Sequence, residues 1–535
     1  MTLAPSTRRT SPAWRRPGIA PRPASPKACS WMSSRPTSSA IREPTRMRIL
    51  LIYPNCRREI IGYGDEGAIA EPLALEYLAS VAIALGHEVQ ILDLRLHPDK
   101  LDLTLLSAQP DVVGVTGYSM HVLRMLELCR HVRRVAPQAT TVVGGHHATI
   151  MPEDFQVPEV DHIVTGEGVG PFQILLERLA ADVPVAPLAG VWSRTEDADF
   201  VFGGKAPAFD IDAIPPPNRA VVAADRSRYF IDWMKPIALM RTTVGCPYRC
   251  SFCSLWRIMD GQYHRRDIDR VVEEIASIKE RNIFLVDDEP FINAKRMLAL
   301  GQAIQAAGLD HDYFAYCRID TFMNHLDVMA LWRDIGLKRL FFGVETIFDA
   351  ELASYQKRQK RDEIIAGLNM AREMGIAVMS NFIVSPQYGH EEFAQLARFI
   401  EDNGVDYPTF TILTPIPGTP ACESFDGILH MQANGRPDWE LFDLQHPVTE
   451  TKLPREDFMR EYFGLYRLFG GAYARAGHPF YQPEGLAAPH IVAAAPAARS
   501  PALSAPSGSR CDERPAPAPE QGRHADRRSP ARPAR

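Results

Sequence analysis

The chain has 535 residues, 46% of them hydrophobic and 23% charged, with nine cysteines and a net charge of -6; this is too long for one ordinary core, and two or three globular domains are expected. No stretch approaches eighteen uninterrupted apolar residues, no secretory leader opens the sequence, and the odd, scattered cysteines form no disulfide framework, so neither a membrane-spanning nor a secreted stapled protein is expected, but a cytoplasmic one with free thiols. Residues 1–46 carry a net +8 and residues 485–535 a net +4, leaving -18 on the body between them; that acidity excludes nucleic acid as a main partner, because phosphate binding needs a basic face.

Both ends, residues 1–46 and 485–535, are rich in Pro, Ser, Ala and Arg and poor in large apolar side chains, so both tails are expected to be disordered. The first also fits a transit peptide or an upstream start, with Met47 opening "MRILLIYPN" as a natural first strand. Over residues 47–183, apolar runs such as "EVQILDL", "DVVGVTGYS", "TTVVGGHH" and "DHIVTGEG" alternate with helical stretches. This α/β pattern predicts a Rossmann-like open parallel sheet. Ligands of such sheets sit at the carboxyl ends of the strands, here around Ser119, Gly144, Gly145, His146, Gly166 and Glu167. Gly144 and Gly145 fit a plain strand-to-helix turn equally well. No G-x-G-x-x-G follows the first strand, so a nicotinamide site is not expected.

Residues 184–235, with "AIPPPNRA", read as a linker. From 236 to 440 a second alternation supplies six β/α units, the pattern of a partial barrel whose chemistry sits at the carboxyl ends of its strands. A three-cysteine cluster follows its first strand, "DDE" ends the second, "CRID" the third and "ET" the fourth. Residues 441–484 read as a helical region. Within it Phe458, Tyr462, Leu465 and Phe469 form a stripe, with Phe463 and Tyr466 beside it and Arg460 and Arg467 flanking. Such a stripe suits a helix packed on the barrel, or one in peripheral contact with a membrane surface.

The cluster, "TTVGCPYRCSFCSLW", holds Cys246, Cys250 and Cys253. Thiolates bind zinc or iron-sulfur clusters. Zinc wants a fourth ligand, which His264 could supply, whereas a cubane held by three cysteines keeps one iron open to substrate. A barrel this large folds without a metal staple, which favours the cluster. Cys317, at the same mouth, is left open between core thiol and site residue.

The spacing C-x-x-x-C-x-aromatic-C resembles the signature of radical S-adenosylmethionine (SAM) enzymes. The resemblance implies a [4Fe-4S] cluster on Cys246, Cys250 and Cys253 whose fourth iron chelates SAM, and a reduced cluster that cleaves it to a 5'-deoxyadenosyl radical. It places Phe252 against the adenine. Asp287, Asp288 and Glu289 stand where that family meets the SAM amino group, as a departure from its usual Gly-Gly-Glu; a helix-capping acidic run is the plain alternative. Glu345 resembles a ribose contact, unless it simply pairs with Arg318 or Arg339.

A Rossmann-like domain before such a barrel resembles the cobalamin-binding domain of cobalamin-dependent radical SAM enzymes. No D-x-H-x-x-G lies in residues 47–183, so the resemblance implies cobalt without a protein histidine below it, as in the methylases, where methylcobalamin gives methyl to a substrate radical. His146 and His147 are then corrin or phosphate contacts, or surface. The phrases "RTTVGCPYRCSFCSLWRIMDGQYHRRD", "FLVDDEPFIN" and "NGRPDWELFDLQHPVTETKLP" resemble the hopanoid C-3 methylase group, over most of residues 47–470. That implies a polycyclic lipid substrate, an electron donor such as flavodoxin or ferredoxin, and a cytoplasmic place with peripheral contact to the inner face of the membrane. Alternatives are a porphyrin ring cyclase or secondary-metabolite methylase of the same superfamily, and a zinc-stapled cobalamin sensor.

Overall fold

The computed structural model describes residues 45–56, 68–207 and 210–469. The tails expected to be disordered lie outside the described residues, except Thr45 and Arg46.

The front sheet has strands β1 (Arg48–Tyr53), β2 (Glu88–Asp93), β3 (Val112–Thr116), β4 (Thr140–Gly144), β5 (His162–Val164), β6 (Val191–Arg194) and β7 (Phe200–Phe202) in the order β2-β1-β3-β4-β5-β6-β7. The first five pair in parallel, as expected from their apolar runs: Ile49 to Ile52 are all buried, because helices cover both faces. The strand order reverses between β1 and β3, which opens a crevice at their carboxyl ends. The last two strands are antiparallel and lie in the segment read as a linker. Their signal was there, since Val191 and Ser193 point inward while Trp192 and Arg194 are half-buried, but four residues are short beside the surrounding prolines.

The second sheet is the expected partial barrel of six parallel strands in chain order: β8 (Ile237–Met240), β9 (Asn282–Leu285), β10 (Asp312–Cys317), β11 (Leu337–Glu345), β12 (Ala377–Val384) and β13 (Tyr407–Ile412). Amphipathic helices wrap it. Helix Ile268–Ser277 buries Val271 and Ile275, and the Asp267 carboxylate caps it by accepting from Asp269 N and Arg270 N.

After β13 the chain departs from the expected boundary at residue 440. It crosses back to the front domain, where Cys422, Trp439, Leu441, Phe442 and Val448 complete that domain's core. The Trp439 ring lies 4.7 Å from that of His147. The chain then returns as helix Arg455–Phe469, whose Phe458, Tyr462, Leu465 and Tyr466 join the barrel core. Tyr462 and Tyr466 donate through Oη to the Phe410 carbonyl, so the aromatic stripe covers the open edge at β13. Of the two readings of this stripe, the structure bears out the helix packed on the barrel, whose core its rings join. Residues 470–484 of the expected helical region lie outside the described residues.

A buried ionic seam joins the two domains. Glu71, before the helix Leu73–Ala84 of the front domain, pairs with Arg226 and Arg219; Arg219 reaches Glu274 at 2.9 Å, Arg266 meets the same carboxylate at 2.7 Å, and Arg226 pairs with Glu280. Glu76 beside them is held protonated, pushed up to about 9 by burial and by Glu71.

Candidate active site

The cysteine loop follows Thr243–Val244, which pairs antiparallel with His264–Arg265. Cys253 N donates to Cys250 O at 3.2 Å, and Ser251 N donates to Tyr355 O at 3.1 Å, tying the loop to the far side of the mouth. Burial pushes the Cys246 thiol up to about 11 and Cys253 to about 12. Thiolates there need a cation, and a metal centre supplies one. Arg318 adds positive charge, with Nη1 3.9 Å from Cys250 Sγ. Among the described residues no three His, Cys, Asp or Glu side chains are gathered about a single ion. A cubane takes three thiolates on separate irons and leaves its fourth iron open, whereas zinc wants a fourth protein ligand. His264, the fourth zinc ligand considered above, bonds through Nε2 to Gln262 Oε1 at 3.1 Å.

The three acids after β9 have three different situations. Asp287 is buried and accepts from Thr242 N (2.6 Å) and Thr243 N (2.9 Å), which fixes the exit of β8. Both bonds tie the strand exit to the acidic run. Asp288 accepts from Gly245 N at 3.0 Å and is pushed up to about 6 by burial. Glu289 accepts from Arg318 N at 2.9 Å through Oε2, while its buried Oε1 has no partner, and burial pushes it up to about 8. An orphaned carboxylate oxygen beside the cysteines fits an ammonium group.

Glu345 ends β11 in the left-handed region, φ 67°, a strained conformation that needs support from its surroundings. Its carboxylate pairs with Lys357 Nζ at 2.6 Å, not with Arg318 or Arg339. Gly343 makes the room, since a Cβ there would stand 2.2 Å from Glu345 Oε1 and 2.8 Å from Lys357 Nζ. Lys357 Nζ also lies 5.9 Å from the centre of the Phe252 ring, which packs edge-on to Tyr355. Cys317 is buried beneath this floor and donates to Arg318 O, as a core thiol does.

On the front sheet, Gly144, Gly145, Gly166 and Glu167 line a mostly apolar cavity of about 180 Å³ between the sheet and helices Leu73–Ala84 and Val169–Ala180. Gly145 has φ 101°, and a Cβ on it would meet Thr116 Oγ1 at 2.6 Å, so the turn admits no side chain. A dry slot with a glycine rim fits a flat ring of cobalamin. Ser119 and His146 do not line it. Ser119 Oγ meets the buried His147 Nδ1 at 2.9 Å, and His147 Nε2 bonds Asp154 at 2.8 Å; His147 is thus a core group, neither a corrin contact nor surface. His146, pushed down to about 4 by burial, bonds through Nε2 to Ser254 Oγ at 3.2 Å. Ser254 follows Cys253, so the rims of the two domains touch. Lys357 carried no signal in the sequence; Arg241, which enters the front cavity from the end of β8, was marked by its strand-end position and passed over.

Residues 65–176 match the B12 binding domain and residues 240–400 the Radical SAM superfamily. The hopanoid C-3 methylase of Methylococcus capsulatus is 31% identical over 73% of this chain and 75% of its own length. The chain belongs to the cobalamin-dependent radical SAM methylases. It is a methyltransferase that works with SAM, a [4Fe-4S] cluster and cobalamin. The anaerobic magnesium-protoporphyrin IX monomethyl ester cyclase of Cereibacter sphaeroides is 25% identical over 79% of this chain and 70% of its own. In fold the methylase resembles the radical SAM methyltransferase TsrM from Kitasatospora setae with cobalamin and [4Fe-4S] cluster bound, at TM-score 0.60 and 18% identity over 79% of this chain and 91% of that one.

Proposed function

We propose that this methylase adds a methyl group to an unactivated carbon of a polycyclic lipid, C-3 of the hopanoid A ring. The observation that carries the chemistry is the His146–Ser254 contact, which sets the strand ends of the front sheet against the cysteine loop. The lipid is supported by the 31% identity to a hopanoid C-3 methylase.

When bound, SAM on the cluster supplies hydrogen abstraction and cobalamin supplies the methyl group. The chain supplies position and electrostatics. Cys246, Cys250 and Cys253 hold the cluster, with Arg318 offsetting their charge. Glu289 Oε1, which has no partner in the chain, would accept from the SAM ammonium, with Asp288 beside it. The Glu345–Lys357 pair offers one acceptor and one cation to the remaining polar groups of SAM, and Phe252 lies against its adenine. Gly144, Gly145 and Gly166 would cradle cobalamin, with Glu167 at the same rim and Ser119 and His146 bracing it. A flavodoxin or ferredoxin supplies the electron. Among the described residues no helix is long and apolar enough to cross a membrane, which suits a cytoplasmic enzyme that takes its lipid at the membrane surface.

Anaerobic incubation with reductant, methyl-labelled SAM, cobalamin and a hopanoid should give a labelled lipid one methyl heavier. The cyclase relative supports a second reading, action on a porphyrin. Turnover of a magnesium porphyrin with none of the hopanoid would replace the first reading by it.

A further inference from the structure

We infer that Arg241 is a ligand for the phosphodiester in the nucleotide tail of cobalamin, and that Glu167 holds its place until the cofactor arrives. The front cavity is walled by apolar groups such as Leu75, Val142, Val164 and Phe172, and the charged residues lining it are Glu167 and Arg241. Arg241 is not part of the front domain. It follows β8 of the barrel and reaches across, its guanidinium 4.5 Å over the Tyr77 ring and Nη1 3.3 Å from Glu167 Oε2. That is longer than a tight charge-assisted bond of about 2.7–2.9 Å. Its buried Nε finds no acceptor.

The tail of cobalamin joins a flat, apolar benzimidazole to the corrin through a phosphodiester. With the ring in the apolar slot, the singly charged phosphodiester would lie near the rim, where Gly166 and Gly168 lead into the start of helix Val169–Ala180. A helix N-terminus and an arginine fork both favour phosphate oxygens. The Glu167 carboxylate repels the same anion, so it must turn outward as Arg241 changes partner. Total charge around the guanidinium is then conserved. Because the arginine belongs to the barrel, the tail is gripped by both domains at once.

The full-length protein, reconstituted with its cluster, is titrated with hydroxocobalamin and with cobinamide, which shares the corrin but lacks the nucleotide tail. Arg241→Gln should weaken cobalamin roughly 10- to 100-fold and change cobinamide by less than about threefold. Glu167→Gln should tighten cobalamin and leave cobinamide unchanged, the opposite of what loss of a purely structural ion pair would do. Equal losses for both corrinoids in Arg241→Gln, no loss at all, or weaker cobalamin binding by Glu167→Gln would each overturn the assignment. Should Arg241→Gln fail to fold, Glu167→Gln and competition of wild-type cobalamin binding by inorganic phosphate give the same decision.

Discussion

Two groups of buried acids lie in this molecule, and they are treated in opposite ways. At the seam between the domains, Glu71, Glu274 and Glu280 are met by Arg219, Arg226 and Arg266. At the mouth, Asp288 and Glu289 are pushed up to about 6 and 8, and Glu289 keeps an unpaired oxygen. Burying a charge is costly unless it is matched. A matched set fastens two domains; at the unmatched one Glu289 holds a proton at neutral pH, which on the function proposed above it would release to face the SAM ammonium. Glu76 is the seam's exception, and it stays neutral by keeping its proton.

The largest effect should come from the thiols. Replacing Cys246, Cys250 or Cys253 by Ala should abolish 5'-deoxyadenosine formation and cluster iron while leaving cobalamin binding and the seam intact. The seam itself breaks with Arg226→Met, which strands Glu280 and takes one of the two arginines from Glu71: about 3–5 kcal/mol of stability should be lost, read by urea unfolding, with SAM affinity of the remaining folded protein unchanged. A matching loss of SAM affinity would erase the distinction between the two regions.

Glu289→Gln sharpens it from the other side. SAM binding should weaken roughly 10- to 100-fold, the loss of one charge-assisted contact, without loss of stability in the SAM-free protein. Its pH dependence has a definite sign. The folded-state value is raised from 4.5 to about 8, so the folded protein binds more protons than the unfolded one between those pH values, and the contribution of Glu289 to stability falls as pH rises through that window. The variant should lack that fall, measured as melting temperature from pH 5 to 8.5 without SAM. The smallest effect belongs to the barrel edge: Tyr466→Phe removes one hydrogen bond to Phe410 O and should cost about 1 kcal/mol with no change in liposome co-sedimentation.

Much of this was written in local pattern. The two strand–helix alternations, the cysteine spacing and the glycine turns are short-range signals, and the sheets and the cluster loop follow them. What stayed hidden depends on distant partners. A Glu345–Arg339 pair, one of the alternatives the sequence left open, would have to bridge six strand residues, about 20 Å, and Arg339 is held instead by Asp232. Arg318 is already engaged by Asp320 at 2.9 and 3.0 Å. Lys357, in an irregular turn between two left-handed residues, Gln356 and Arg358, has no periodicity to mark it. The crossing of residues 413–450 back to the front domain was likewise invisible, because Trp439 and Phe442 find their neighbours some 300 positions away, in β-strands and helices with their own complete patterns. The aromatic stripe of helix Arg455–Phe469 was legible as a stripe but not as to what it covers.

That crossing sets an order of events during synthesis. The front domain's strands β1 to β5 leave the ribosome long before Trp439, which packs on His147, and at about 5–20 residues per second the wait is roughly a quarter of a minute to a minute. Throughout it the crevice stands beside an uncovered apolar face. The front domain therefore closes only after all six barrel strands exist, and a chain cut after β13 would leave it as an unfinished, sticky fragment rather than a free-standing cobalamin carrier.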